Sequence, residues 1–195
     1  MIGKQAKILK KRDLERMLDY VEESSYPERN KVMILLSLKA GLRAKEIASL
    51  TWEMVTMASG DIGTEIHLPY QAAKGKSGRI LPMHKALKEA LEILRKVHPQ
   101  PESFRANVVF SKQGTRMHPC NVSHWFRRVF KALGLQGCSS HSGRRTFITQ
   151  AARKVSEVGG SLRDVQVLAG HSSLALTQRY VDANTEAHRR LIDLL

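Results

Sequence analysis

The segment His141-Ser142-Gly143-Arg144-Arg145 sets an imidazole and a guanidinium three residues apart at the start of a helical pattern. At that spacing both side chains face one ligand, and the unpaired N–H groups of a helix N-terminus add positive potential beside them. A second helix start, Gly41-Leu42-Arg43-Ala44-Lys45-Glu46, places Arg43 and Glu46 one turn apart, and Gly170-His171 is followed nine residues on by Tyr180. Singly, these residues have ordinary explanations: a surface charge, a hydrogen-bonded histidine, a core tyrosine with a wet tip. Jointly, their spacing outweighs these separate explanations. The guanidinium fork is permanently charged and matches phosphate geometry, and imidazole changes charge near neutral pH. A phenol, with a pKa of about 10, needs a base or cationic surroundings before it attacks anything.

The composition agrees with an anionic partner. The chain has 195 residues with 32 Lys+Arg against 18 Asp+Glu, a formal net charge of +14 and a pI near 10.1. That balance points to a polyanion, nucleic acid ahead of a membrane surface. At 42% hydrophobic and 26% charged the chain reads as a globular protein, not a basic disordered tail. No apolar run is long enough for a transmembrane helix, and the start has no secretory pattern. Cys120 and Cys138 make no disulfide framework and fit a reducing cytosol. The cationic excess concentrates between residues 101 and 140, where Arg105, Lys112, Arg116, Arg127, Arg128 and Lys131 face only Glu102. Trp125, Phe126 and Phe130 interleave with the last three, the pattern of a helix with one side on a core and the other open to phosphates.

The elements that must position these groups are mainly helical. Apolar periodicity predicts helices over 11–25, 28–40 with Gly41 as its cap, 44–50, 84–97, 119–133, 144–158, 162–169, 174–180 and 185–194. Short strands over 65–68 and 79–81 flank the turn-rich 74–78, so the fold class is α+β, mainly α with a small antiparallel sheet. The expected organisation is one domain over 1–195, with a basic arm at 1–10 and a C-terminal helix at 184–195. Gly75-Lys76-Ser77 is not a P-loop, because Tyr70 stands where its first glycine is required. His118, Cys120 and His124 are not read as a metal site, since Pro119 marks a helix start and no fourth ligand is suitably spaced.

In combination, these segments resemble the tyrosine recombinases, the integrase family of phages and mobile elements. GLRAKEIASLTW looks like the first arginine box, HSGRRTF carries the H-x-x-R box, and LAGHSSLALTQRYV looks like the closing box. The resemblance implies that family's catalytic-domain fold, and a site-specific recombinase that cleaves and rejoins duplex DNA through a 3′-phosphotyrosine intermediate. It implies Arg43, His141, Arg144 and His171 as phosphate and proton-transfer groups, Tyr180 as nucleophile, and Glu46 as the companion that orients Arg43 or His141. The family's lysine sits on a β-hairpin; Lys74 fits by its distance to Pro82, with Lys76 as the alternative. Gly143 stands where the family more often has leucine, which weakens local helix propensity.

Duplex DNA is the expected partner, with Lys76, Arg79, Lys112, Arg116, Arg127, Arg128, Lys131 and Arg145 as backbone-contacting cations. The resemblance further implies a homotetramer on two DNA segments, action at the nucleoid in the cytoplasm, no metal or other cofactor, and no membrane role. The length leaves no room for the helical N-terminal core-binding domain common in the family, so a short, catalytic-domain-only type is expected. The apolar residues of 185–195 suit packing on their own domain or on a neighbouring protomer equally well. Two other functions share these features: a non-catalytic DNA-binding regulator descended from a recombinase, and a type IB topoisomerase.

Overall fold

A single long apolar helix organises the molecule. The computed structural model describes residues 6–69, 78–98, 106–181 and 192–193. Helix α2 (Pro27–Lys39) begins with proline at its first turn, where the missing N–H costs nothing. Its residues from Val32 to Leu38 are all buried, so it has no solvent face and other elements must surround it. Helices α1 (Lys11–Glu22), α3 (Ala44–Ser49), α4 (Lys85–Val97) and α6 (Ser142–Lys154) all pack on α2. Helix α5 (Pro119–Ala132) packs on α3 through Val122, Trp125, Phe126, Val129 and Phe130, leaving Arg127, Arg128 and Lys131 exposed as expected. The imidazole of His118 accepts the Cys120 N–H and caps this helix, which accounts for one of the histidines near Pro119.

The strands β1 (Glu65–Leu68) and β2 (Arg79–Pro82) pair antiparallel, with Ile66 opposite Leu81 and Leu68 opposite Arg79. Side chains alternate across a strand, so this register turns Ile66, Leu68, Arg79 and Leu81 to one face. That face is the buried one: Ile66, Leu68 and Leu81 are interior, whereas Ile80 is 54% exposed.

Helix α7 (Leu162–Ala169) and helix α8 (Leu174–Gln178) follow a 3₁₀ turn at Val155–Val158, which shortens the helix expected over 144–158. Gly159 and Gly160 follow that turn, and Gly159 has a φ of +73°. These last helices close on α6 through a small apolar cluster of Ile148, Val165 and Ala169, separate from the main core. Secondary-structure bounds otherwise agree with the expected ones within a few residues. The expected helix at 184–195 lies outside the described residues except for Ile192 and Asp193.

Candidate active site

Arg144 is the most enclosed of the expected phosphate ligands. Its Nη1 donates to Gly41 O at 2.8 Å and its Nη2 to Ala169 O at 2.6 Å, leaving the residue 4% exposed. Both carbonyls lie at helix C-terminal ends, where the backbone dipole favours a cation. The chain can turn at Gly41 only without a side chain: φ is +63°, and a Cβ there would stand 2.4 Å from the Phe147 ring. Burial, then repulsion from Arg43 and Arg79, pulls the Arg144 pKa down to about 10 despite the attraction of Glu46. The guanidinium therefore stays charged at neutral pH while under-compensated.

Arg43 occupies the N-cap of α3 and is one-fifth exposed at its side chain. Glu46, one turn on, accepts the Arg43 backbone N–H at Oε2 (2.8 Å) and the Arg43 Nη1 at Oε1 (2.9 Å). The carboxylate is fully buried. Burial alone pushes it up, but hydrogen bonds and charge from Arg79, with Arg43 adding to them, hold it below the ordinary carboxylate range. Of the two orienting tasks expected of Glu46, its hydrogen bonds here serve Arg43.

His171 follows the α7 cap at Gly170, and its Nδ1 lies 2.9 Å from the buried hydroxyl of Thr177. Tyr180 sits just past α8, its ring stacked on the His171 imidazole at 5.4 Å between centroids and 27° between planes. Its carbonyl accepts the Thr149 hydroxyl, which ties the tyrosine segment back to α6. Partial burial, then the charges of Arg144, Arg43 and Arg79, lowers the His171 pKa from 6.5 to about 4. An unfolded chain would thus take up a proton between those values that the folded protein refuses. The free protein should lose stability as pH falls from about 6.5 towards 4, and His171→Gln should flatten that slope in urea melts taken across the range. An unchanged slope would contradict the burial of a neutral imidazole.

His141 is the N-cap residue of α6 and is exposed. A tight turn places it: Ser142 N–H donates to Ser139 O, and Ser139 N–H donates to the Ser142 hydroxyl. Arg43, His141, Arg144, His171 and Tyr180 thereby line one open cleft of about 510 Å³, together with Ala6, Ser139, Arg145, Leu176 and Arg179. Thr177 and Arg179 were not singled out from the sequence; a hydroxyl three residues before a tyrosine, and a cation directly before it, were the available signals.

The remaining expected cations divide. Lys112, like the three on α5, is exposed. Arg116 donates to Ala48 O and Ser49 Oγ, so it satisfies the last turn of α3 although it remains solvent-exposed. Arg79, expected to reach DNA backbone, departs most. Its side chain is 7% exposed and its guanidinium is bound to Glu46, because the strand register turns it inward. Lys74 and Lys76 lie outside the described residues.

Known proteins are similar to this chain in sequence and fold. The tyrosine recombinase XerC of Rhizobium meliloti is 29% identical over 165 residues, spanning 84% of this chain and 48% of that protein. The XerC of Actinobacillus succinogenes is 30% identical over 203 aligned positions, spanning 96% and 64%. The chain thus spans about half to two thirds of the length of these curated relatives. Among solved structures, the XerA recombinase superposes with a TM-score of 0.75 at 22% identity, over 96% of this chain and 64% of the other. A lambda integrase dimer bound to a core site gives 0.67 at 18%, over 91% and 48%. These likenesses establish the tyrosine recombinase catalytic-domain fold. The phage integrase family model matches residues 7–187, almost the whole sequence, and the chain belongs to that family.

Proposed function

We propose that this chain is the catalytic part of a site-specific DNA recombinase that cleaves and rejoins duplex DNA through Tyr180. The observation that carries the reading is the cleft itself, in which a tyrosine stacked on a neutral histidine shares one wall with two arginines whose charge Glu46 only partly offsets. Attack on a phosphodiester concentrates negative charge on the non-bridging oxygens, and donors fixed beforehand stabilise that state more than the ground state. Arg43 and Arg144 are those donors. In the tautomer whose Nδ1 accepts the Thr177 hydroxyl, Nε2 of His171 carries the proton and supplies another.

The Tyr180 hydroxyl oxygen bonds to phosphorus while the bond from phosphorus to the 5′-oxygen breaks. His141 takes the phenolic proton, and Lys74 protonates the departing 5′-oxygen. The 3′-phosphotyrosyl bond retains the energy of the broken ester, so a 5′-hydroxyl from another strand completes the exchange without ATP. The exposed Arg127, Arg128, Lys131 and Lys112, with Arg145 and Arg179 at the cleft, contribute contacts to DNA phosphates. Work at the nucleoid on two duplexes by four copies follows from the same reading.

Incubation with a nicked duplex from DNA flanking the encoding gene tests it. Wild type should give a protein–DNA adduct stable to denaturant, and Tyr180→Phe should give none. No wild-type adduct on such DNA overturns the reading. Adducts on any sequence, with relaxation of supercoiled plasmid, would indicate a topoisomerase instead.

A further inference from the structure

Arg79 is a buried cation whose position the register of a two-stranded sheet dictates. Its Nη1 donates to Glu46 Oε1 at 3.0 Å and its Nη2 to Glu46 Oε2 at 3.1 Å, a two-pronged pair between a 93%-buried side chain and a fully buried one. Each Glu46 oxygen is thereby shared. Oε1 also holds the Arg43 guanidinium, and Oε2 also holds the Arg43 backbone N–H. The same guanidinium packs against the cap of α7: a Cβ on Gly170 would stand 2.7 Å from Arg79 Nη1, which keeps the residue before His171 free of a side chain. Arg79 thus touches the segment that carries Arg43 and the segment that carries His171, and it enters from the hairpin that leads to Lys74.

The arrangement is expensive as a structural device. Among the described residues, the buried Nε of Arg79 has no hydrogen-bond partner. Well-packed apolar residues replace a buried ion pair with little or no loss of stability. What an apolar pair would not provide is a carboxylate locked in one orientation, with its second lone pairs directed at Arg43.

We propose that Arg79 is a positioning residue: by fixing both oxygens of Glu46 it aims Arg43 at the scissile phosphate and joins the hairpin to the cationic centre. Arg79 does not itself meet DNA. The inference deepens the recombinase reading and rests on it for the identity of the phosphate.

Two variants and one pair test it. Arg79→Met should slow single-turnover cleavage at saturating DNA by about 100-fold, the usual scale for a misplaced group, with DNA affinity and its salt dependence unchanged. Arg79→Lys keeps the charge but offers one prong, and should fall between Arg79→Met and wild type. The double variant Arg79→Met/Glu46→Gln should be no slower than the slower single variant, because both remove one interaction. A DNA-backbone role predicts weaker binding and a shallower salt slope at unchanged saturated rate. A merely structural role predicts rate effects that add in the double variant, whatever the melting temperature, since removing one partner of a buried pair lowers stability in either case. Either result overturns the proposal.

A second measurement needs no DNA. In the free protein, hydrogen exchange at the Arg43 guanidinium, followed by nitrogen-15 NMR, should quicken at least 10-fold in Arg79→Met while core amides keep their protection. If Arg43 exchange does not change, Arg79 does not position it. If wild type gives no adduct yet Arg43 loosens as expected, the recombinase reading fails and the positioning inference stands.

Discussion

Alanine in place of Arg144 is expected to slow DNA cleavage by about 100- to 1000-fold, the loss typical of removing one fixed donor at a developing oxyanion. Single-turnover cleavage of a nicked duplex measures it. The expectation is large because Arg144 is both charged and immobile, its guanidinium clamped between Gly41 O and Ala169 O. The same substitution leaves those two carbonyls without their donor, at about 1–3 kcal/mol for each that stays buried and dry. An opposing effect comes from charge. Burial and the neighbouring arginines hold the Arg144 pKa at about 10, well below that of the free group, so the folded protein bears an ionised group it partly disfavours. This cost is present throughout the neutral range and is relieved only as pH rises above about 10. An anion in the cleft relieves it too. Inorganic phosphate should therefore raise the melting temperature of wild type and not that of Arg144→Ala. Arg144→Lys should remain slow, since an ammonium reaches one carbonyl and lacks the fork. A near-normal rate for Arg144→Ala would exclude it from the phosphate site.

Leucine at position 143 is expected to lower both stability and activity. In α6 a Cβ on Gly143 would stand 2.2 Å from Ser37 Oγ, 2.9 Å from Ser37 Cβ and 3.2 Å from the Ser37 carbonyl carbon. The hydroxyl alone can rotate away, but the backbone of α2 cannot, because the helix is packed on all sides. Overpacking of this kind typically costs about 1–3 kcal/mol, and the upper end is expected where a backbone must move. It also displaces α6, whose first turn and N-cap carry Arg144 and His141, and a shift of about 1 Å at reacting groups is worth about 100-fold in rate. Thermal melts and the adduct assay read the two effects. Gly143→Ala should be milder, and Ser37→Gly should restore part of what it loses. Wild-type stability for Gly143→Leu would show that α6 and α2 part more easily than this contact implies.

These contacts mark where sequence reasoning stopped. The weak helix propensity of glycine made Gly143 look like a local departure; in the structure it is the point of closest approach between two helices 106 positions apart in number. Arg79 misled for a similar reason. In Arg79-Ile80-Leu81-Pro82 an isolated strand would turn isoleucine inward and arginine outward only if those two alternated with the core, and the register places Arg79 with Leu81 on the inner face instead. Charge pattern alone does not choose a strand face when a buried carboxylate waits 33 residues away. Arg116 is expected from the sequence as a DNA-backbone contact; its bond to Ala48 O was not legible, because the unpaired carbonyls at the end of α3 are invisible in a string of letters.

The sequence by itself determined most of the described helices, the two paired strands and the nomination of Arg43, His141, Arg144, His171 and Tyr180, which line the cleft. Each of those follows from short-range information: apolar periodicity, caps, turn residues, and boxes whose members lie within one helix or one turn. Arg43 with Glu46, and His141 with Arg144, are pairs of that kind. Tertiary structure decided which charges meet. It brought Gly41, Arg144 and Ala169 together across three segments, gave His171 a buried hydroxyl and cationic neighbours that keep it neutral, and made Glu46 the shared partner of two arginines. The physical reason is that desolvation and Coulomb energy depend on distance in space and on burial, and neither is a function of spacing along the chain.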